Sequence, residues 1–338
     1  MPHVQPDAGS PLKTDRAGRA WSWAIAATVA AACLYWSLRG VDWRGVWRIV
    51  SHAKGWYLAA AAGTCAASYF LRAVRWRVLL NAEGRFSIGT VFWANMVGYL
   101  CNNFLPARAG EVARSVLIGR RSGLSTTYVL TTALGERLMD VIALVLCSSL
   151  ILLGVHPKPR WMDDLSRTLA LVAALGAVSI AVLPHIGPRL NLVLRWLPLP
   201  EGIQKRLLGL TEQIVLGLRA FHAWRRFAAF VLLTAAIWLT DAGGVMLGAH
   251  ALGLKIPLPV ALLLLSALGL GSALPSTPGY VGIYQFVAVT VLTPFGFTRD
   301  AALAYILVAQ ASGYFVVAIL GLPAVYKVGG FDSFRRKD

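Results

Sequence analysis

Apolar stretches long enough to cross a bilayer recur along most of this chain, and they leave few folds open. They lie near residues 21–38, 55–72, 125–153, 166–186, 226–250 and 300–326. A helix rising about 1.5 Å per residue needs roughly 20 such residues to span the hydrocarbon. Charged residues make up 14% of the chain, against about a quarter in soluble domains. The pattern is that of an all-α polytopic membrane protein. The longest polar interval, Gly187 to Arg226, is too short for a usual soluble domain. Residues 1–20 form a polar tail with prolines and glycines and read as disordered and cytoplasmic. Residues 21–328 read as one transmembrane domain, and 329–338 as a basic C-terminal tail.

A net charge of +17 raises the question of nucleic acid, and its distribution answers it. With the N-terminus in the cytoplasm, most Lys and Arg fall on one side: in the N-tail, over 72–85, 108–121 and 187–226, and from Lys327 onward. That is the positive-inside asymmetry of a cytoplasmic-membrane protein with both termini inside, facing anionic lipid. No base-stacking module or groove-reading motif is present, so nucleic acid is not expected as a partner. The segment "RGVDWRGVWRIVSHAKGW" interleaves Trp43, Val46 and Trp47 with Arg44 and Arg48, as an interfacial amphipathic helix does. The first apolar run continues past Cys33, which favours an uncleaved span over a signal peptide. Cys33, Cys65, Cys101 and Cys147 lie far apart in apolar runs, and the histidines show no ligand spacing. Neither a metal site nor a cofactor is expected.

The stretch "NNFLPARAGEVARS", from Asn102 to Ser115, breaks an apolar run with Pro106 and Gly110 and carries Arg108, Glu111 and Arg114. Shifted by 169 positions it lies on "GSALPSTPGYVGIY", so that Leu105-Pro106 meets Leu274-Pro275 and Gly110 meets Gly279. The repeat this suggests runs over about 55–153 and about 226–326, each copy holding a span, a broken hairpin and another span. The hairpins cover about 86–121 and about 257–296, and an odd number of crossings between them inverts one copy relative to the other. The expected architecture is an inverted repeat with two re-entrant hairpins and about six full spans, countable as eight. The alternative is that the first tip is a cytoplasmic loop between ordinary spans. Pro106, Pro275 and Pro278 remove amide donors, and Gly110, Gly279 and Gly282 admit tight turns. Backbone groups freed at such breaks must be buried or line a polar cavity, because lipid cannot satisfy them.

"STTYVLTTALGERLMDVIALVLCSSLILLGV" is apolar on both sides of Glu136, Arg137 and Asp140. Charges at that depth face a partner or a water-filled cavity. Glu136 and Asp140, four apart, share a helix face. Arg108, Arg114 and Arg137 are candidates to bind an anionic headgroup, since guanidinium forks match phosphate oxygens. Glu111, Glu136 and Asp140 would hold those forks, accept a cationic group or carry protons. A purely structural ion-pair network is the competing reading. Asp241, inside the fifth span, is a candidate for proton coupling or a packing residue. Asn102 and Asn103 at the first tip, with Tyr280, Tyr284 and Gln285 at the second, complete the candidate site. Arg137→Ala and Glu136→Ala are expected to abolish activity and leave membrane insertion intact.

The combination of "NNFLPARAGEVAR", "ERLMD" and "LPSTPGYVGIYQF" resembles the lysylphosphatidylglycerol synthase transmembrane region, also called the flippase-like integral membrane family. The resemblance covers about residues 20 to 328. It implies flippase-like movement of a polar or anionic lipid headgroup, such as that of a phospholipid, between membrane leaflets without covalent chemistry. Bifunctional members carry a separate synthase domain, which is not expected here, so no enzyme activity is carried over. No P-loop is present, so this chain is not expected to hydrolyse ATP. The alternatives are an intramembrane lipid-modifying transferase and a non-transporting scaffold of a lipid-synthesis complex. Membrane lipids are the expected partners, and a second copy or a lipid-synthesis enzyme is left open.

Overall fold

The computed structural model describes residues 28–104, 109–153, 223–272 and 278–327, with scattered positions between 164 and 215. Pro106, Arg108, Pro275, both terminal tails, most of the fourth expected span and most of the basic 187–226 segment lie outside the described residues. Every regular element among the described residues is helical.

Helix α1 covers Thr28–Leu38 and leads to α2, Trp43–Ser51, whose first turn is capped by the Asp42 side chain accepting from the amide of Arg44 at 3.0 Å. Its apolar edge buries Val46 and leaves Trp43 and Trp47 exposed beside Arg44 and Arg48, the division expected at a bilayer surface. The amide of Asp42 donates to Asp300 at 3.0 Å, tying this helix to the start of the last one.

The order long helix, short helix, short helix, long helix then occurs twice. The first set is α3 (Gly55–Leu80), α4 (Ile88–Phe104), α5 (Ala109–Ser122) and α6 (Thr126–Leu153). The second is α7 (Trp224–Ala251), α8 (Leu258–Gly271), α9 (Ile283–Leu292) and α10 (Arg299–Lys327). A 3₁₀ turn over Pro278–Tyr280 precedes α9. As described, the four short helices have 17, 14, 14 and 10 residues, and α8 and α9 fall below the roughly 17–25 that span a bilayer. Helices α7 and α10 are long and apolar enough to cross one.

Helix α3 corrects the sequence reading in one respect. The apolar run ends near residue 72, and hydropathy alone places Arg75 beyond the end of the span. The helix instead continues to Leu80, with Arg75 and Trp76 buried. A helix whose polar residues find partners need not stop where its hydropathy does.

Helices α3 and α7 pack antiparallel over most of their lengths. Tyr57 meets His250, Thr64 lies by Gly244, Arg72 reaches Asp241 and Arg75 reaches Thr234. Crosswise packing joins the two sets again, α10 lying against α4 and α6 against α8. Gly321 sits on Leu100 and Met96 in the first contact, and Ser266 and Gly269 meet Leu144 in the second.

Gly110 has a role other than the expected turn. It lies in the first turn of α5, where a Cβ would overlap the Gly98 carbonyl oxygen and the Asn102 side chain, and its amide donates to Asn102 Oδ1 at 2.9 Å. The close approach of α4 and α5 is what requires glycine. Gly110→Ala is therefore expected to cost about 1–3 kcal/mol by overpacking, read as a lowered thermal midpoint in detergent. An unchanged midpoint would show that the two helices do not meet there.

Candidate functional site

Four helices each bring charge to one place. Arg72 and Arg75, one turn apart on α3, share a face and reach toward α6 and α7. Glu111 and Arg114 come from α5, Glu136, Arg137 and Asp140 from α6, and Asp241 from α7. Four arginines meet four carboxylates.

Arg75 is the centre of the network, with a side chain 0% exposed. Its Nε and Nη2 donate to Glu136 Oε1 at 3.0 and 2.9 Å. Nη1 and Nη2 donate to the two oxygens of Asp140 at 2.6 and 2.9 Å, and Nη1 also donates to Thr234 at 3.0 Å. Arg114 donates to Asn95 at 2.7 Å and to Glu136 Oε2 at 3.3 Å, pairs with Glu111, and lies over the Trp76 ring at 4.3 Å. Arg137 clasps Glu111 Oε1 through Nε at 2.9 Å and Nη2 at 2.8 Å, and its Nη1 is 3.8 Å from Asp140 Oδ2.

Charges of alternating sign thus close a ring through Asp140, Arg75, Glu136, Arg114, Glu111, Arg137 and back to Asp140. Arg72 joins it from outside, donating to Asp241 at 2.7 Å with its Nη1 3.9 Å from Asp140 Oδ2. Each ion is paired, the condition under which buried charge is tolerated.

A cavity of about 450 Å³ opens against one side of this ring. Arg72, Glu111, Arg137, Asp140 and Asp241 border it, as do Asn102, Asn103, Tyr280 and Tyr284. Arg75, Arg114 and Glu136 stand behind that wall. The candidate residues therefore divide into a cavity surface and a buried support. Arg137, with a side chain 28% exposed, is the most accessible arginine of the network, and Arg72 follows at 14%.

Gln285 belongs to neither group. Its Oε1 accepts from the amide of Gly282 at 2.7 Å, and its Nε2 donates to Gln310, which in turn donates to the Gly279 carbonyl at 2.6 Å. Tyr314 donates to the same carbonyl. This clasp holds a turn in which Gly279, Tyr280 and Gly282 have φ of 70, 62 and 90°. A Cβ on Gly282 would also strike the Ala30 carbonyl. Glycine at 279 and 282 follows from that backbone. Pro278 opens the turn.

Sequence reasoning missed Arg72, Arg75, Gln310 and Tyr314 as site residues. One signal for Arg72 was present: it lies 169 positions before Asp241, the same offset that superposes the two Leu-Pro tips.

Paired ions around a cavity, wrapped in helices with large exposed apolar side chains such as Leu232, Phe315 and Leu322, define a helical membrane protein with a polar interior. Residues 23–321 match the lysylphosphatidylglycerol synthase TM region, and the chain belongs to that family. It is also 27% identical over 326 aligned residues to "Glycosyltransferase AglD" of Haloferax volcanii. The match takes in 87% of this chain and 51% of that protein, so the chain spans about half the length of this curated relative.

Proposed function

We propose that this protein moves a polar or anionic lipid headgroup between the leaflets of the cytoplasmic membrane, through the cavity beside the ion ring. The observation that carries the reading is the cavity of about 450 Å³ with Arg72, Arg137 and Asp140 in its wall, enclosed by helices with an apolar exterior. A headgroup would cross in contact with those charges while its acyl chains stay in lipid. In this reading α4 with α5 and α8 with α9 are re-entrant hairpins of an inverted repeat. Their short lengths support it, as does the antiparallel packing of α3 on α7, helices that begin 169 residues apart. Both termini are assigned to the cytoplasm from the distribution of Lys and Arg.

The test is a leaflet assay in proteoliposomes with a labelled phospholipid. Protected lipid that becomes accessible chemically unchanged supports transport. A new lipid species would instead favour a transferase, a reading to which the relative's name "Glycosyltransferase" lends weight. If neither result is seen, a scaffold in a lipid-synthesis complex is left.

Water access to the cavity has its own test, since Cys65 borders it. A variant keeping Cys65 alone, with Cys33, Cys101 and Cys147 changed to alanine, is expected to react with a membrane-impermeant thiol reagent. Labelling only after denaturation would show the cavity to be dry.

A further inference from the structure

We propose that the cavity takes a headgroup made of one phosphate and an uncharged polyhydroxylated part, and discriminates against a cationic headgroup. This rests on the lipid-headgroup reading above and adds the substrate class.

The first support is the state of the carboxylates. Glu111, Asp140 and Asp241 border the cavity, and each is already in contact with at least one arginine. An entering ammonium group would compete with those arginines for the same carboxylates and weaken the counter-charge each buried guanidinium holds, a cost that buried ions bear heavily. A network built for a cation would carry an acid in excess. Glu111, Asp140 and Asp241 border the cavity against Arg72 and Arg137, and with Arg75, Arg114 and Glu136 behind the wall the described network holds four carboxylates and four arginines.

The second support is the state of the two accessible arginines. Arg72 holds Asp241 with Nη2 at 2.7 Å, and Arg137 holds Glu111 with Nη2 at 2.8 Å. The Nη1 groups of both instead approach a single atom, Asp140 Oδ2, at 3.9 and 3.8 Å, beyond hydrogen-bond distance. A phosphate oxygen entering between them would gain two charge-assisted bonds and break neither short pair.

The third support is an aromatic pair in the cavity lining. The rings of Tyr280 and Tyr284 are parallel within 9°, with centroids 4.9 Å apart. Tyr280 holds a φ of 62°, uncommon for a residue other than glycine. Such a backbone persists where the surroundings hold it, here the clasp of Gln285, Gln310 and Tyr314. The C–H face of a sugar or cyclitol is apolar and weakly positive and complements the negative face of an aromatic ring. Asn102 and Asn103 also line the cavity and offer amide groups to hydroxyls, Asn102 through its Nδ2 because its Oδ1 already accepts from Gly110.

The experiment measures lipid binding to the full-length protein in detergent by native mass spectrometry, with three probes. Phosphatidylinositol carries a phosphate and a neutral cyclitol, phosphatidic acid the phosphate alone, and lysylphosphatidylglycerol a phosphate with added cations. Phosphatidylinositol is expected to bind at least tenfold tighter than either of the others. Tyr284→Leu should lose more affinity for phosphatidylinositol than for phosphatidic acid and bring the two to one level, whereas Arg72→Gln should weaken both. Equal or tighter binding of lysylphosphatidylglycerol, or of phosphatidic acid, would overturn the proposal. So would a Tyr284→Leu protein that keeps the wild-type preference. The ranking of the three lipids on the unaltered protein needs no variant to fold. Binding in detergent requires no second leaflet. A protein with this ranking that fails the leaflet assay would refute transport and keep the inference, and the reverse outcome would do the opposite.

Discussion

Arg75→Met is expected to destabilise this protein by about 3–5 kcal/mol, the cost of leaving a buried ion without its partner. The side chain is fully buried and engages Glu136, Asp140 and Thr234 at once. Methionine fills much of the same volume, so the loss comes from charge and not from a void. Glu136 would keep only Arg114, at 3.3 Å, and Asp140 only the arginines 3.8 and 3.9 Å away, beyond hydrogen-bond distance. The measurement is thermal unfolding in detergent, followed by the loss of the monodisperse peak in size-exclusion chromatography. The triple variant Arg75→Met, Glu136→Gln, Asp140→Asn should recover much of the lost stability, because neutral groups need no counter-ion. A wild-type midpoint for Arg75→Met alone would mean the ring is not assembled as described. Glu136→Ala falls in the same class. It is buried between Arg75 and Arg114, so its loss leaves each guanidinium with one carboxylate fewer, Arg75 keeping Asp140 and Arg114 keeping Glu111.

Arg137→Ala should do the reverse, slowing lipid exchange with little change in thermal midpoint. Its removal leaves Glu111 paired with Arg114 and Asp140 paired with Arg75, so no buried carboxylate is stranded. A hydrogen bond to a charged group contributes about 1.5–3 kcal/mol. If that interaction is made as the headgroup crosses, its loss slows exchange roughly 10- to 100-fold. Initial rates in the proteoliposome assay, read beside the thermal midpoint of the same preparation, separate the two effects. An unchanged rate would place the headgroup elsewhere, and a collapsed midpoint would show Arg137 to be part of the support.

The two variants follow the way the network lies against the cavity. Arg75, Arg114 and Glu136 stand behind its wall, and Arg72, Arg137 and Asp140 border it. Under the proposed function the bordering residues would meet the headgroup and those behind the wall would form a structural network, so the two readings of these charges do not compete. The residues behind the wall hold the bordering guanidiniums in place through shared carboxylates.

Local properties of the sequence determined much of this. Apolar runs of spanning length make the chain helical, since lipid leaves the backbone no partner but itself. Glu136, Arg137 and Asp140 announce a polar interior because charge inside such a run needs company. The 169-residue offset brings out the order of elements. Only the tertiary structure decided where the ion ring closes. Arg72 and Arg75 sit at the end of an apolar run, where hydropathy alone reads a boundary, and what keeps them within a helix is acid supplied from elsewhere. Asp140 lies 65 residues from Arg75, and Asp241 lies 169 from Arg72. Hydropathy is a property of neighbours in sequence, whereas the free energy of a buried ion depends on neighbours in space.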